Sequence, residues 1–200
     1  MKNPDSKLLK IYDRIFNYFL SGSLAFIVFN TIRKEYERHP VKQDNIFITT
    51  LLTSTYDTIV LSLANTIKPN NDSVHLTYLI NCIKNSKDEL DAETYDHLTQ
   101  FIGEFETTLA TISPTINRIV EIRDTTIAHL DRSHVNNPSF LLQKPSTEWK
   151  DVEIAYDVVG SGLIQIGKYL GLGNDIQDYI ALGNLALTKQ TSLVFNLLYK

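Results

Sequence analysis

The sequence is poor in cysteine, proline and glycine, and each shortage excludes a class of protein. A single cysteine, Cys82, in 200 residues excludes an intramolecular disulfide framework and a zinc site built from several cysteines. With only 6 prolines and 8 glycines, the chain is unlike a loop-rich or all-β protein. Basic residues are also few, because 19 Lys and Arg face 23 Asp and Glu. The formal net charge of −4 gives no overall positive field, so any RNA contact has to come from a local patch.

The sequence also offers little that would span a membrane. Residues 15–29 are mostly apolar, but they are fewer than the ~20 that cross a bilayer. Asn17 and the Ser21-Gly22-Ser23 triplet interrupt them. Asp5 and Asp13 precede the stretch, where a signal peptide would carry a basic start. We therefore expect a buried helix here, no membrane segment and a cytoplasmic location.

What the chain does have is a helical period. Hydrophobic residues make up 43% of it and recur three and four positions apart, as in Leu8, Ile11, Tyr12, Ile15 and Phe19. Turn-forming residues separate the periodic segments at His39-Pro40, Pro69 to Asp72, Asn136 to Pro138 and Gly171 to Gly173. No internal repeat or linker is visible. The pattern predicts a single all-α domain over residues 1–200, a bundle of six or seven helices.

Capping residues predict where the helices begin and end. The triplet at residues 21–23 is expected to kink or divide the first helix. Ser73 is expected to cap a short helix that ends near Lys84, and Ser113 a helix that runs to about Ser133. Further helices are predicted at about residues 44–68, 91–110, 147–170 and 174–200.

The segment from Thr115 to His134 carries an arginine on its apolar face. At 100° per residue, one arc of the helix holds Ile116, Ile119, Val120, Ile127 and Leu130. Arg123 falls in the middle of that arc. A buried guanidinium is costly unless it finds acceptors or an anionic ligand. Asp57 or Glu121 could serve as an internal partner, and an anionic ligand is the alternative.

The opposite face of the same helix is polar. It carries Arg118, Thr125, His129 and Arg132, and the flank between the two faces holds Asp124 and Asp131. Surface ion pairs and a plain surface histidine are the structural interpretation of this set. The functional interpretation is a site in which cations, an imidazole and carboxylates meet.

The stretch from Arg123 to His129, RDTTIAH, resembles the motif of the HEPN superfamily. That motif is an arginine, commonly followed by a polar residue, and then a histidine after four to six positions. Here the spacer is five residues and the polar residue is Asp124. The wider text RDTTIAHLD is similar to the AbiU-type group of abortive-infection (phage-resistance) proteins. A second similarity covers residues 57–64, DTIVLSLA, although Asn65 follows where a basic residue is expected. The resemblance covers about residues 45–135.

The resemblance implies an all-α, metal-independent endoribonuclease that acts as a homodimer on RNA, in phage defence or as a toxin with a possible antitoxin partner. Histidine titrates near neutral pH and suits proton transfer, and the arginine fork suits phosphate. His129 is therefore the expected acid/base and Arg123 the phosphate clamp, with Asp124 and Asp131 in support. Substrate binding is expected from Arg118, Thr125 and Arg132. The expected products carry a 2′,3′-cyclic phosphate and a 5′-hydroxyl, and no cofactor is expected.

Geometry limits how one helix could build this site. Six positions apart on a straight helix, Arg123 and His129 point roughly 120° away from each other. Either the helix is irregular there, or two copies meet across a two-fold axis and share one cleft.

Two other classes compete with this hypothesis. Carboxylate and imidazole pairs at helical spacing could hold a metal, namely Asp72 with His75, Asp131 with His134, and Glu93 with His97. These pairs lack the glutamates of di-iron bundles, so no metal site is expected. The other class is a non-catalytic helical protein that uses the same pocket to bind a nucleotide or a partner.

Overall fold

A computed structural model describes residues 6–38, 46–67, 74–124, 148–172 and 185–192 of the chain. Within these ranges the backbone is helical apart from short turns, and the architecture is the all-α bundle that the periodicity predicts. The helices are α1 (Lys7–Arg38), α2 (Ile46–Ile67), α3 (Leu76–Lys84), α4 (Ala92–Thr111), α5 (Ser113–Ile122) and α6 (Trp149–Tyr169). Residues 185–192 are also helical. The predicted turn at 136–138 lies outside the described residues.

Two of the predicted N-caps are wrong. The cap of α3 is His75 rather than Ser73, and its Nδ1 accepts a hydrogen bond of 3.3 Å from the Tyr78 amide. The position before α5 is Ile112, which makes no side-chain cap, so Ser113 is already the first helical residue. Asp91 at the start of α4 is the acidic cap that its sequence favours, since its carboxylate accepts a 2.9 Å bond from Thr94.

Helix α6 ends where the glycines predict. Gly171 takes a positive φ of 82°, a conformation that costs glycine little. The Leu172 amide then donates to the Gly167 carbonyl at 2.8 Å, and the Gly171 amide donates to the Lys168 carbonyl at 3.0 Å. These two bonds form a Schellman motif, which satisfies the last carbonyls of the helix.

Helix α1 continues through Ser21-Gly22-Ser23, where the sequence predicted a kink or division. The Ser62 hydroxyl of α2 accepts a 3.1 Å bond from the Gly22 amide and donates to the Tyr18 carbonyl. In an undisturbed α-helix these two backbone groups would pair with each other. Gly22 lacks a side chain, so α2 comes close enough for this bridge to form. The triplet is therefore a helix contact point rather than a helix end.

Tyrosine hydroxyls join α1 to α6 inside the core. Tyr156 donates to the Phe19 carbonyl at 2.8 Å, and Tyr12 donates to the Leu163 carbonyl at 3.0 Å. Burial raises the pKa of both phenols, since the charged form would lose its hydration. Gly160 faces the Phe19 ring, where an added Cβ would lie 2.6 Å from a ring carbon. The absence of a side chain at Gly160 therefore lets α1 and α6 pack closely at this residue.

Two helices of the bundle have the length and hydropathy of membrane spans. They are residues 7–35 of α1, with a mean hydropathy of 1.5, and α2, with 1.4. About a third of each apolar window is buried against the rest of the chain, 33% and 28% respectively. Core helices and signal sequences have the same properties, so length and composition do not assign these helices to a membrane.

The His75 cap predicts a stability that depends on pH. Burial lowers the pKa of His75 below its ordinary value of 6.5, because the neutral ring is favoured inside and its Nδ1 has to stay unprotonated to cap α3. The unfolded chain then binds a proton more readily than the folded one, so stability is complete above the unfolded pKa and is lost as pH falls below it. We expect the Tm to fall between about pH 7.5 and pH 5 more steeply in the wild type than in His75→Asn.

The asparagine variant is the control, since it keeps a capping oxygen but does not titrate in this range. Thermal unfolding followed by circular dichroism measures both proteins across the same buffers. Parallel pH profiles in the two proteins would show that His75 does not couple protonation to folding.

Candidate functional site

Arg123 lies where α5 stops being an α-helix. Ile119 and Ile122 bury the apolar side of α5 in the core, and α5 packs on α2 and α6. At residues 123–124 the backbone widens into a π-helical turn. Such turns are rare in proteins and are frequent at functional sites. The predicted helix to about Ser133 is thus observed as far as this turn, beyond which the residues are not described.

The guanidinium of Arg123 is held from two sides. Its Nε and Nη2 donate to the same oxygen of Asp124, Oδ1, at 2.8 Å and 2.7 Å. Its Nη1 donates to Asn65 Oδ1 of α2 at 3.4 Å. These bonds compensate for the burial that the apolar arc predicted, since Arg123 is 5% exposed. The carboxylate belongs to the adjacent residue, whereas the sequence had suggested Asp57 or Glu121.

The two partners in this ion pair differ in their access to solvent. The Arg123 side chain is 6% exposed, while the Asp124 side chain is 39% exposed. Asp124 therefore covers the edge of the guanidinium that would otherwise offer two parallel N–H groups to a phosphate.

Asn65 is a site residue that sequence reasoning did not assign. It was noted as a departure from the expected basic residue after the DTIVLSLA stretch, and a basic side chain there would place a second positive charge beside Arg123. An amide instead supplies an acceptor. The available signal was a polar residue at the end of an apolar helix, but nothing local points to a partner 58 residues away.

The remaining predicted site residues divide into two groups. Arg118 is exposed on α5, five positions before Arg123, and has a contact within the chain. Thr125, His129, Asp131 and Arg132 lie outside the described residues. The structure therefore brings together Arg123 and Asp124 of the predicted set and adds Asn65 to them.

Metal-ligating side chains do not gather in the described part of the chain. Across residues 6–38, 46–67, 74–124, 148–172 and 185–192, no group of three or more His, Cys, Asp or Glu could hold a metal ion. His75 is the α3 cap, and Glu93 and His97 are exposed on α4. Asp72, Asp131 and His134 lie outside the described residues.

A helical bundle with a buried arginine at a helix end, followed in the sequence by a polar residue and a histidine, is typical of a HEPN-type protein. The chain belongs to the HEPN_AbiU2 family, since the family model described as AbiU2 matches residues 5–163. The match is wider than the predicted 45–135 and takes in α1 through most of α6. No curated protein and no solved structure matches the chain.

Proposed function

We propose that the protein is a metal-independent endoribonuclease of HEPN type that acts in phage defence or as a toxin in the cytoplasm. The observation that carries this proposal is the Arg123 guanidinium, buried at the α2–α5 junction and paired with the more exposed carboxylate of Asp124. Family membership supports it, because the arginine opens the motif that ends at His129.

The chemistry needs few groups, because RNA carries its own nucleophile. The 2′-hydroxyl attacks the adjacent phosphorus, the 5′-oxygen leaves, and the products are a 2′,3′-cyclic phosphate and a 5′-hydroxyl. His129 takes the proton of the 2′-hydroxyl and delivers it to the leaving 5′-oxygen, a role that suits histidine because this side chain type titrates near neutral pH. Arg123 stabilises the charge that develops on the phosphate oxygens. Asp124 holds the guanidinium in orientation until the phosphate takes its place.

A second copy of the chain supplies the other half of the cleft in this proposal. Two arginines and two histidines around one two-fold axis give the local positive charge that a net charge of −4 does not give. Arg118, Thr125 and Arg132 contact the substrate, and Asp131 supports the site.

Light scattering after gel filtration is expected to report a dimer, and a monomer that cleaves RNA would contradict the shared cleft.

Cleavage of RNA by the purified full chain tests the proposal. We expect His129→Ala to lower the rate by about 10²–10⁴-fold, the range that general acid–base catalysis supplies. The matched control is His97→Ala, which removes an exposed histidine of α4. The assay is run on total RNA with EDTA present, and the new 3′ ends are tested for a cyclic phosphate.

Two results would contradict the proposal. Equal cleavage by the wild type and His129→Ala would assign the activity to a contaminant or to another site. If a folded wild-type dimer cleaves no RNA, also in extracts of phage-infected cells, this result would contradict the proposed endoribonuclease function. If the chain has an antitoxin partner, that partner co-purifies with the active chain and suppresses its toxicity on expression.

A non-catalytic role is the second candidate, and one observation favours it. Asp124 already fills the edge of Arg123 that would bind phosphate, as a structural ion pair would. In this candidate the site binds a nucleotide or a partner, or the Arg123–Asn65 hydrogen bond holds α2 against α5. A dimer that binds RNA without cleaving it would support this role.

A further inference from the structure

A groove between α4 and α6 lies outside the Arg123 site and has the size of a small-molecule site. Its volume is about 540 Å³, and ligand pockets in proteins usually measure ~300–1,000 Å³. Phe101 and Phe105 form its α4 side, with ring centroids 5.8 Å apart and planes inclined by 11°. Gly162 of α6 packs directly on the Phe105 ring, which is buried, so the half-buried Phe101 is the ring that the groove can offer to a ligand.

The charges around this groove have one sign. Glu104 of α4 and Asp157 of α6 line it from opposite sides, and among the described residues that line it none is Lys, Arg or His. Gln100 donates to Glu104 at 3.4 Å, which leaves most of that carboxylate's acceptor capacity for solvent or a ligand. Partial burial, and then the Glu153 carboxylate nearby, raise the pKa of Asp157. A cation in the groove would offset this local negative potential.

From this complementarity we propose that the α4–α6 groove binds a small organic cation, an ammonium group carried on an aromatic or aliphatic body. The ammonium lies between Glu104 and Asp157, and the body lies against the Phe101 ring. Aromatic faces attract cations through their negative π-surface, so the Phe101 ring and the carboxylates favour the same ligand. Anionic ligands such as nucleotides are disfavoured here, which separates this groove from the Arg123 site.

Calorimetric titration of the full chain with 2-phenylethylammonium at neutral pH tests the proposal. We expect saturable binding that is at least about tenfold tighter than that of the neutral 2-phenylethanol, with no binding of 3-phenylpropionate. The variant Glu104→Gln/Asp157→Asn keeps the shape of the groove and is expected to weaken cation binding about tenfold. Asp96→Asn, an exposed carboxylate on α4 outside the groove, is the matched control and is expected to bind like the wild type.

A variant that blocks the groove distinguishes binding in the groove from non-specific attraction of the cation to the protein surface. Ser161 is exposed on α6 and lines the groove, so Ser161→Trp fills the space without disturbing the core and is expected to abolish binding. Saturable binding that is lost in the double and the blocking variants supports the proposal. Absence of binding to the wild type, equal binding of the alcohol, or unchanged binding in the double variant would each overturn it.

Discussion

Replacement of Arg123 by lysine is expected to lower RNA cleavage by about 10²–10³-fold, the loss that follows removal of one preorganised donor to a developing negative charge. Lysine keeps the charge but not the fork, so it cannot donate in parallel to two phosphate oxygens. The expected loss of stability is small by comparison, about 1 kcal/mol, because lysine keeps the positive charge and its partner Asp124 is partly solvated.

The experiment compares single-turnover rates and urea unfolding in the same preparations. Arg14→Lys is the matched control, since Arg14 is exposed on α1 and is outside the candidate site. Cleavage by Arg123→Lys within about threefold of the wild type would show that the guanidinium braces α2 and α5 rather than acting on phosphate. A variant that unfolds would be replaced by Asn65→Ala, which removes the α2 contact and leaves the fork in place.

Gly22→Ala is expected to lower the free energy of unfolding, because the added methyl group collides with residues packed against α1. An added Cβ would lie 2.6 Å from both Cβ and Oγ of Ser62 and would overlap the Tyr156 hydroxyl. Three helices have to separate to admit it. Overpacking of this kind costs about 3 kcal/mol, and the higher helix propensity of alanine returns about 1 kcal/mol. A net loss of about 2 kcal/mol lowers the Tm of a chain of this length by roughly 4–8 °C.

Gly103→Ala is the control for the propensity contribution alone. Gly103 lies in the middle of α4, and an added Cβ there meets nothing within 4 Å. We expect this variant to gain about 0.5–1 kcal/mol, so the same substitution has opposite signs at the two positions. Scanning calorimetry measures the Tm of both variants and of the wild type. A Gly22→Ala protein as stable as the wild type would mean that α1 and α2 do not approach as closely as the Ser62 bridge requires.

The sequence predicted features of the fold that depend on neighbouring residues. The period of α1, the start of α4 near Asp91 and the glycine end of α6 are all encoded within a few positions. Even the burial of Arg123 could be predicted, because its place on the apolar arc follows from helical geometry alone.

Features that depend on distant pairs could not be predicted in this way. Asn65 contacts Arg123 from another helix, and Ser62 contacts Gly22 across 40 positions. Capping propensity predicted Ser73 as the N-cap of α3, because serine is a strong capping residue. In the structure α3 begins at Leu76, so the residue before it, His75, is the cap instead. The motif resemblance predicted the family but a shorter match, because its quoted residues lie between 57 and 131.

The Ser62 bridge ties the opening of one helix to the departure of another. The Gly22 amide donates to a side chain of α2, so its hydrogen can exchange with solvent when that helix moves away, before the amide pairs with the Tyr18 carbonyl. Deuterium uptake at Gly22 should therefore report the separation of α2 from α1, and not fraying of α1 by itself. If RNA binding strengthens the packing of α1 on α2, hydrogen exchange at the Gly22 amide will slow before the helix content changes visibly.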